Sequence, residues 1–229
     1  MKGRGCYFTR GYYRPCDDRA FIESYCGSRE AWKLAAVCLG TKVRSVDIYL
    51  RGSFQKTSRG HGTDWALVGG LLGMSPDDSG IRDAFAKAEA AGLSFRFLSE
   101  DMDGAHPNSA RFVMTGVDEK EMEVIGASIG GGAVVIQEID GFKVGIKGEY
   151  PTLVTFHDDV KGVVASVTSM LAAADINIAF LGLSRKSRSG IASMVIEMDN
   201  ILPVSEVERI MQENVAIKRA FMIDARECC

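Results

Sequence analysis

Apolar and polar positions change rhythm several times along the chain, and each change marks an element. "AWKLAAVCLG" (31–40) reads as the end of a helix stopped at Gly40. "SVDIYLRGS" (45–53) alternates apolar and polar residues, which predicts a strand. "GHGTDWALVGGLLGM" (60–74) is a glycine-framed loop feeding a helix that starts near Asp64. "SPDDSGIRDAFAKAEAAGL" (75–93) puts Ile81, Phe85 and Ala88 on one helical face, with acids at its start and Gly92 at its end. "LSFRFL" is a strand, and "DGAHPNSA" a loop, since the residue before Pro107 is pushed out of α geometry. "ARFVMTG", "KEMEVIGASI" and "AVVIQEIDGF" predict three strands, the last two separated by "GGG" at 130–132. This half predicts an α+β fold with a mixed, mostly antiparallel sheet.

After "GEYP" the pattern shifts. "TLVTFH" is a strand, and "KGVVASVTSMLAAAD" a helix with Val163, Val167 and Leu171 in register. "INIAFLGLSRK" and "IASMVIEMD" are strands joined by the basic turn "SRKSRSG". "PVSEVERIMQE" is a helix with Pro203 in its first turn, and "AIKRAFMID" a final strand. The order βαββαβ is ferredoxin-like. It predicts a boundary near residue 150, a second domain over 150–225 and a short tail over 226–229.

Length and composition agree with two domains: 229 residues, 46% of them apolar, can bury a sizeable core. A net charge of −3 offers no basic field for nucleic acid. Apolar runs such as "WALVGGLLGM" are too short to span a bilayer, and the N-terminus lacks the apolar core of a secretory signal. The expectation is a soluble cytoplasmic protein without a membrane partner. Of the six cysteines, Cys6, Cys16, Cys26, Cys38, Cys228 and Cys229, none forms a C-x-x-C pair or has zinc-finger spacing with a His, so no metal ligand is assigned. Cys38 lies in an apolar helical stretch and reads as core. Cys228 and Cys229 end the chain, where fraying is the default.

Three histidines carry the candidate chemistry. His61 sits in "RGHGTD", with Gly60 and Gly62 removing bulk on both sides and Asp64 three residues on. His106 sits in "AHPNS", where Pro107 stiffens the loop and Asn108 adds an amide. A single loop His is more often solvated than functional; two in framed loops of one domain point to a shared site. His157, ending a strand, reads as structural. "GASIGGGA" could cradle an anion with successive N–H groups, but a hairpin turn needing positive φ is the simpler account.

"DIYLRGSFQKTSRGHGTDWALVGGLLG", "HPN", "GASIGGGAVVIQEIDGF" and "GEYPTLVTFHDDVKGVVASVTSMLAAADINIAFLGLSRK" strongly resemble the beta subunit of iron–sulfur-dependent L-serine dehydratase, an L-serine ammonia-lyase. The likeness runs from about residue 43 to 225. It implies a serine dehydratase beta domain over 30–148, which also resembles a domain of some phosphoglycerate dehydrogenases, and a C-terminal ACT domain over 150–225. It further implies conversion of L-serine to pyruvate and ammonia, with a 4Fe-4S cluster ligated by a partner alpha subunit, so that this chain alone is inactive. His61, His106 and Asp64 become the candidate catalytic residues, and Ser53, Lys56, Thr63 and Asn108 the candidates for holding substrate. In the ACT domain, Asp158, Asp159, Gly162 and Asn177 would face an effector or a second ACT domain, with L-serine a candidate effector. The alternative is a non-catalytic amino-acid sensor, as in phosphoglycerate dehydrogenases that carry an ACT domain.

The family resembled here carries "GPVMIGPSSSHTAGA" near its start, and this chain has "RPCDDRAFIESYCGS" at that distance. Taking the last two bases of each codon with the first base of the next, residues 14–28 can encode that whole motif with no forbidden codon. Tyr12 and Tyr13 likewise permit the expected Ile-Ile. Residues 1–29 therefore read as a wrong-frame translation corrected near Glu30. Cys6, Cys16 and Cys26, which would otherwise suggest cluster ligands, then carry no evolved role.

Overall fold

A computed structural model describes residues 35–36, 38–52, 54–56, 62–74, 78–100, 106–130 and 133–224. The first sheet is organised around β1 (Val43–Leu50), whose alternating Val46, Ile48 and Leu50 are buried. Beyond it come α1 (Thr63–Leu71), a 3-10 turn (Ser79–Asp83) and α2 (Ala84–Ala90). The chain then returns as β2 (Ser94–Ser99), parallel to β1 from Ser45↔Ser94 to Leu50↔Ser99. Parallel neighbours require such a crossover, and the crossover brings the carboxyl ends of both strands to one edge. β3 (Ser109–Gly116) begins at that edge and runs antiparallel to β1 on its other side. β4 (Glu121–Gly130), β5 (Ala133–Ile139) and β6 (Phe142–Ile146) continue as antiparallel neighbours, giving the order β2-β1-β3-β4-β5-β6. The sheet is thus mixed and mostly antiparallel, as its hydrophobic pattern predicts.

Two local readings need correction. "AVVIQEIDGF" is not one strand. Asp140 (φ 50°) and Gly141 (φ 74°) turn the chain and split off β6. Two consecutive positive φ values are what a tight hairpin needs, and Asp-Gly is among the dipeptides that supply them. The helix expected over 75–93 is also shorter. The Asp78 carboxylate accepts the Gly80 N–H at 2.8 Å and starts the tighter 3-10 turn, and α2 follows it. Ile81 and Ala88 are buried as expected, while half-buried Phe85 packs beside Phe95 and Phe97 of β2 at 5.0 and 6.2 Å between ring centroids.

The second sheet follows the expected βαββαβ order. β7 (Thr152–Asp158), α3 (Val163–Ala173), β8 (Ile178–Arg185), β9 (Ile191–Met198), α4 (Val204–Glu213) and β10 (Ile217–Ile223) form an antiparallel sheet ordered β10-β7-β9-β8. β7 and β9 are central and buried on both faces, which explains their continuous apolar runs. Leu153, Met194, Ile196 and Met198 pack on Val163, Val167 and Leu171 of α3 and on Val207 and Ile210 of α4. Each such aliphatic side chain contributes about 1.5–3 kcal/mol on burial. Val154, Phe156, Val195 and Ile223 join the core of the first sheet, where Phe156 meets Phe142 of β6 at 5.3 Å. Asp140 is also a polar link between the sheets: its carbonyl accepts Lys186 Nζ at 2.8 Å and its carboxylate meets Arg219 at 3.4 Å. Among the described residues no helix is long and apolar enough to cross a membrane.

Candidate functional site

The edge where β1 and β2 end and β3 begins holds a cleft of about 500 Å³. Ligands of α/β units gather at the carboxyl ends of parallel strands, because the chain leaves there in loops whose side chains and N–H groups are free to converge. Arg51, the residue after β1, and Ser99 with Glu100, at the end of β2, line the cleft. Gln55 and Lys56 come from the helical residues 54–56, and Pro107 from the loop before β3. Backbone bonds fasten these pieces together. Arg51 N–H donates to Ser109 O at 3.1 Å, Glu100 N–H to Leu50 O at 3.4 Å, and Ser128 N–H to Asn108 O at 3.0 Å.

Gly52 sits where the first loop meets the Pro107 loop. Its φ is 56°, and a Cβ placed on it would lie 2.5 Å from Pro107 O. Only glycine fits both the left-handed backbone and the close approach. Beyond Pro107, Asn108 N–H donates to His106 Nδ1 at 3.2 Å. Nδ1 is therefore the acceptor nitrogen, and in the neutral ring the proton resides on Nε2. In this arrangement the half-buried His106 offers a donor at Nε2, and its basic lone pair is already occupied.

Arg111 of β3 braces the cleft wall. Its Nε and Nη2 reach Glu100 Oε2 at 2.8 and 2.7 Å, and Nη1 reaches Glu123 Oε2 at 3.2 Å. The guanidinium also lies 4.0 Å from the centroid of the Tyr49 ring. Burial alone would lower its pKa, but the bonds and charges of Glu100 and Glu123 outweigh that and raise it.

Of the residues singled out from sequence, Lys56 lines the cleft, and His106 and Asn108 flank its Pro107. Thr63 is buried at the start of α1, and half-buried Asp64 turns Oδ1 back on the Trp65 N–H at 2.9 Å. Neither is among the described residues that line the cleft. Ser53 and His61 lie outside the described residues, as do Cys6, Cys16, Cys26, Cys228 and Cys229 and the segment 1–29. Sequence reasoning missed Arg51, Gln55, Ser99, Glu100 and Arg111. The available signal was topological, since a parallel β1–β2 pair would have directed attention to the residues just after each strand.

In the second unit the two acids before α3 have partners other than the helix dipole. Asp158 pairs with Lys218 at 2.8 Å. Asp159 accepts Ser189 N–H at 3.1 Å and Arg185 at 2.9 Å, contacts that hold its pKa below the ordinary value. Gly162 adopts φ 96° at the cap of α3 with nothing within 4 Å of a built Cβ, so space remains beside it. Asn177 donates its amide to Asp199 at 2.8 Å. His157 is buried, with Thr155 Oγ1 3.3 Å from Nδ1, and burial lowers its pKa.

No family model matches the chain. It is similar to the L-serine dehydratase beta chain of Peptoniphilus asaccharolyticus, at 37% identity over 180 residues, 78% of this chain and 81% of that one. It is also 37% identical over 174 residues to the probable L-serine dehydratase beta chain of Bacillus subtilis (strain 168), covering 76% of this chain and 78% of that one. A more distant likeness, 29% over 177 residues, is to D-3-phosphoglycerate dehydrogenase of Synechocystis sp., of which it spans 31%.

Proposed function

Because the chain belongs to the L-serine dehydratase beta-chain family, we propose that its cleft is the beta-subunit half of an L-serine ammonia-lyase site. The observation that carries this reading is the cleft at the ends of β1 and β2, where Arg51 and Lys56 stand beside the loop of His106, Pro107 and Asn108. L-Serine loses water to give aminoacrylate, which hydrolyses to pyruvate and ammonia. Arg51 and Lys56 supply positive charge for the substrate carboxylate. The Nε2–H of His106 donates to that carboxylate or to the β-hydroxyl. The α-proton needs a positioned acceptor; His61 and Asp64 are carried forward as the candidates for proton handling, and Ser53, Thr63 and Asn108 as candidates for holding substrate.

The described residues do not fit an iron–sulfur cluster. Among them no three His, Cys, Asp or Glu side chains gather as a metal site. Cys38 is fully buried and burial pushes its thiol up to about 12, the opposite of a thiolate ligand. On the family likeness the 4Fe-4S ligands are assigned to a partner alpha subunit, and this chain's own residues bind and orient the substrate. Residues 30–148 are read as the beta domain and 150–225 as the ACT domain, with ACT-to-ACT association engaging Asp158, Asp159 and Gly162 at and after the end of β7 and Asn177 before β8, two groups that the register sets at opposite ends of the sheet. A cytoplasmic enzyme fits this chemistry.

The likeness to D-3-phosphoglycerate dehydrogenase favours a second reading, a sensor module without catalysis. One preparation separates the two. With the reading frame of residues 1–29 restored and a cluster-bearing alpha chain present, the protein should form pyruvate from L-serine, and alone it should form none and take up no stoichiometric iron after anaerobic reconstitution. A stable pair that binds L-serine without turnover would favour the sensor.

A further inference from the structure

Glu100 lines the same cleft as Arg51 and Lys56, and its side chain is 36% exposed. A cleft built only to hold an anion would gain nothing from an acid there, since like charge repels the ligand and a poorly solvated carboxylate is costly. Arg111 does not cancel this acid. It meets two carboxylates, Glu100 and Glu123, so the trio carries +1 − 2 = −1. Both Arg111 contacts to Glu100 fall on Oε2, which fixes the carboxylate, and Oε1 is a second acceptor. Arg111 is itself held: its side chain is only 19% exposed and it lies over Tyr49.

We propose that Glu100 is the ammonium-recognising residue of the cleft and Arg111 its positioning residue, so that the cleft selects zwitterionic α-amino acids over hydroxy acids and phospho acids. This rests on the reading that the cleft is the serine site. A zwitterion offers a carboxylate to Arg51 and Lys56 and an ammonium to Glu100. A hydroxy acid or phosphorylated acid leaves Glu100 Oε1 without its ammonium partner and sets a second negative group beside a trio that is already negative, which is how a polar site discriminates against such an analogue.

The test uses the reconstituted enzyme and two probes, L-serine and 3-hydroxypropanoate, which keeps the carboxylate and hydroxyl but lacks the amine. In Glu100→Gln the KM for L-serine should rise about 10- to 100-fold, the range for losing a charged hydrogen bond, and the Ki of 3-hydroxypropanoate should stay level or fall. Arg111→Met should shift the ratio of the two constants in the same sense; an equal loss for both probes would make Arg111 merely structural. Should Glu100→Gln fail to fold, Glu123→Gln brings the trio to zero charge from outside the cleft and should raise the same ratio by a smaller factor. An unchanged ratio in the variants, with active wild-type enzyme, overturns the proposal alone. Absence of serine turnover in the wild-type pair overturns the reading beneath it.

Discussion

Gly52→Ala should be among the most damaging single-methyl additions in the first sheet, and the structure separates its cost into two parts. Gly52 and Gly92 both have left-handed backbones, at φ 56° and 74°. Alanine in that region costs about 1–2 kcal/mol at either position. A Cβ on Gly92 meets nothing within 4 Å, so its penalty ends there. A Cβ on Gly52 meets Pro107 O at 2.5 Å, and reaching an ordinary 3.4 Å requires 3.4 − 2.5 = 0.9 Å of displacement. Pro107 cannot yield easily, because its ring fixes φ and the next residue's carbonyl is tied to Ser128. The total at Gly52 should reach about 2–4 kcal/mol, the range of overpacking added to backbone strain. Urea midpoints of the two variants give the comparison directly. A displacement near 1 Å in the loop that carries His106 should also lower kcat/KM by about 100-fold in the paired enzyme, whereas Gly92→Ala should leave it near wild type. Equal loss of stability in both variants would refute the collision and with it the close seating of the two loops.

Two further perturbations probe the fold. Burial lowers the pKa of His157, with the charges of Asp159 and Asp158 opposing it, so the folded state favours the neutral ring; its contribution is fully present above the ordinary value of 6.5 and is lost as pH falls below it. Stability measured between pH 7.5 and 5.5 should decline, and His157→Gln should flatten that decline; parallel profiles would mean other groups control it. Asp140→Asn keeps a side chain that tolerates positive φ but removes the charge facing Arg219 across a partly exposed 3.4 Å pair, so a loss of about 0.5–1 kcal/mol is expected in urea unfolding; a neutral result would mean that apolar contacts such as Phe142 with Phe156 carry the link between the sheets.

Legibility followed the physics of burial. α3 was readable because Val163, Val167 and Leu171 must face one core, and β7 and β9 because a central strand is apolar on both faces. β6 escaped because "IDGF" continues an apolar run, and the two positive φ values that break it, at Asp140 and Gly141, leave no trace in hydrophobic alternation. The split before α2 escaped for a similar reason: one bond from Asp78 to Gly80 decides it.

The cleft was half legible for a different reason. Lys56, His106 and Asn108 came from motifs and from glycine and proline framing, which mark a loop wherever it lies in space. Glu100 and Arg111 carry no such marks. Glu100 follows a strand whose exposure alternates only weakly, and Arg111 occupies a position in β3 that periodicity assigns to solvent. What makes them a unit is the sheet itself: the parallel pairing of β1 with β2 and the antiparallel pairing of Tyr49 with Arg111. Those pairings set Arg111 over Tyr49 and within reach of Glu100 across the strand ends. A charged residue inside a strand becomes informative once its cross-strand neighbours are known. Here the neighbours are an aromatic face, which takes one side of the guanidinium, and two acids, which take its donors. That combination fixes a carboxylate at the cleft while leaving it negative, a property no single residue of the trio has alone.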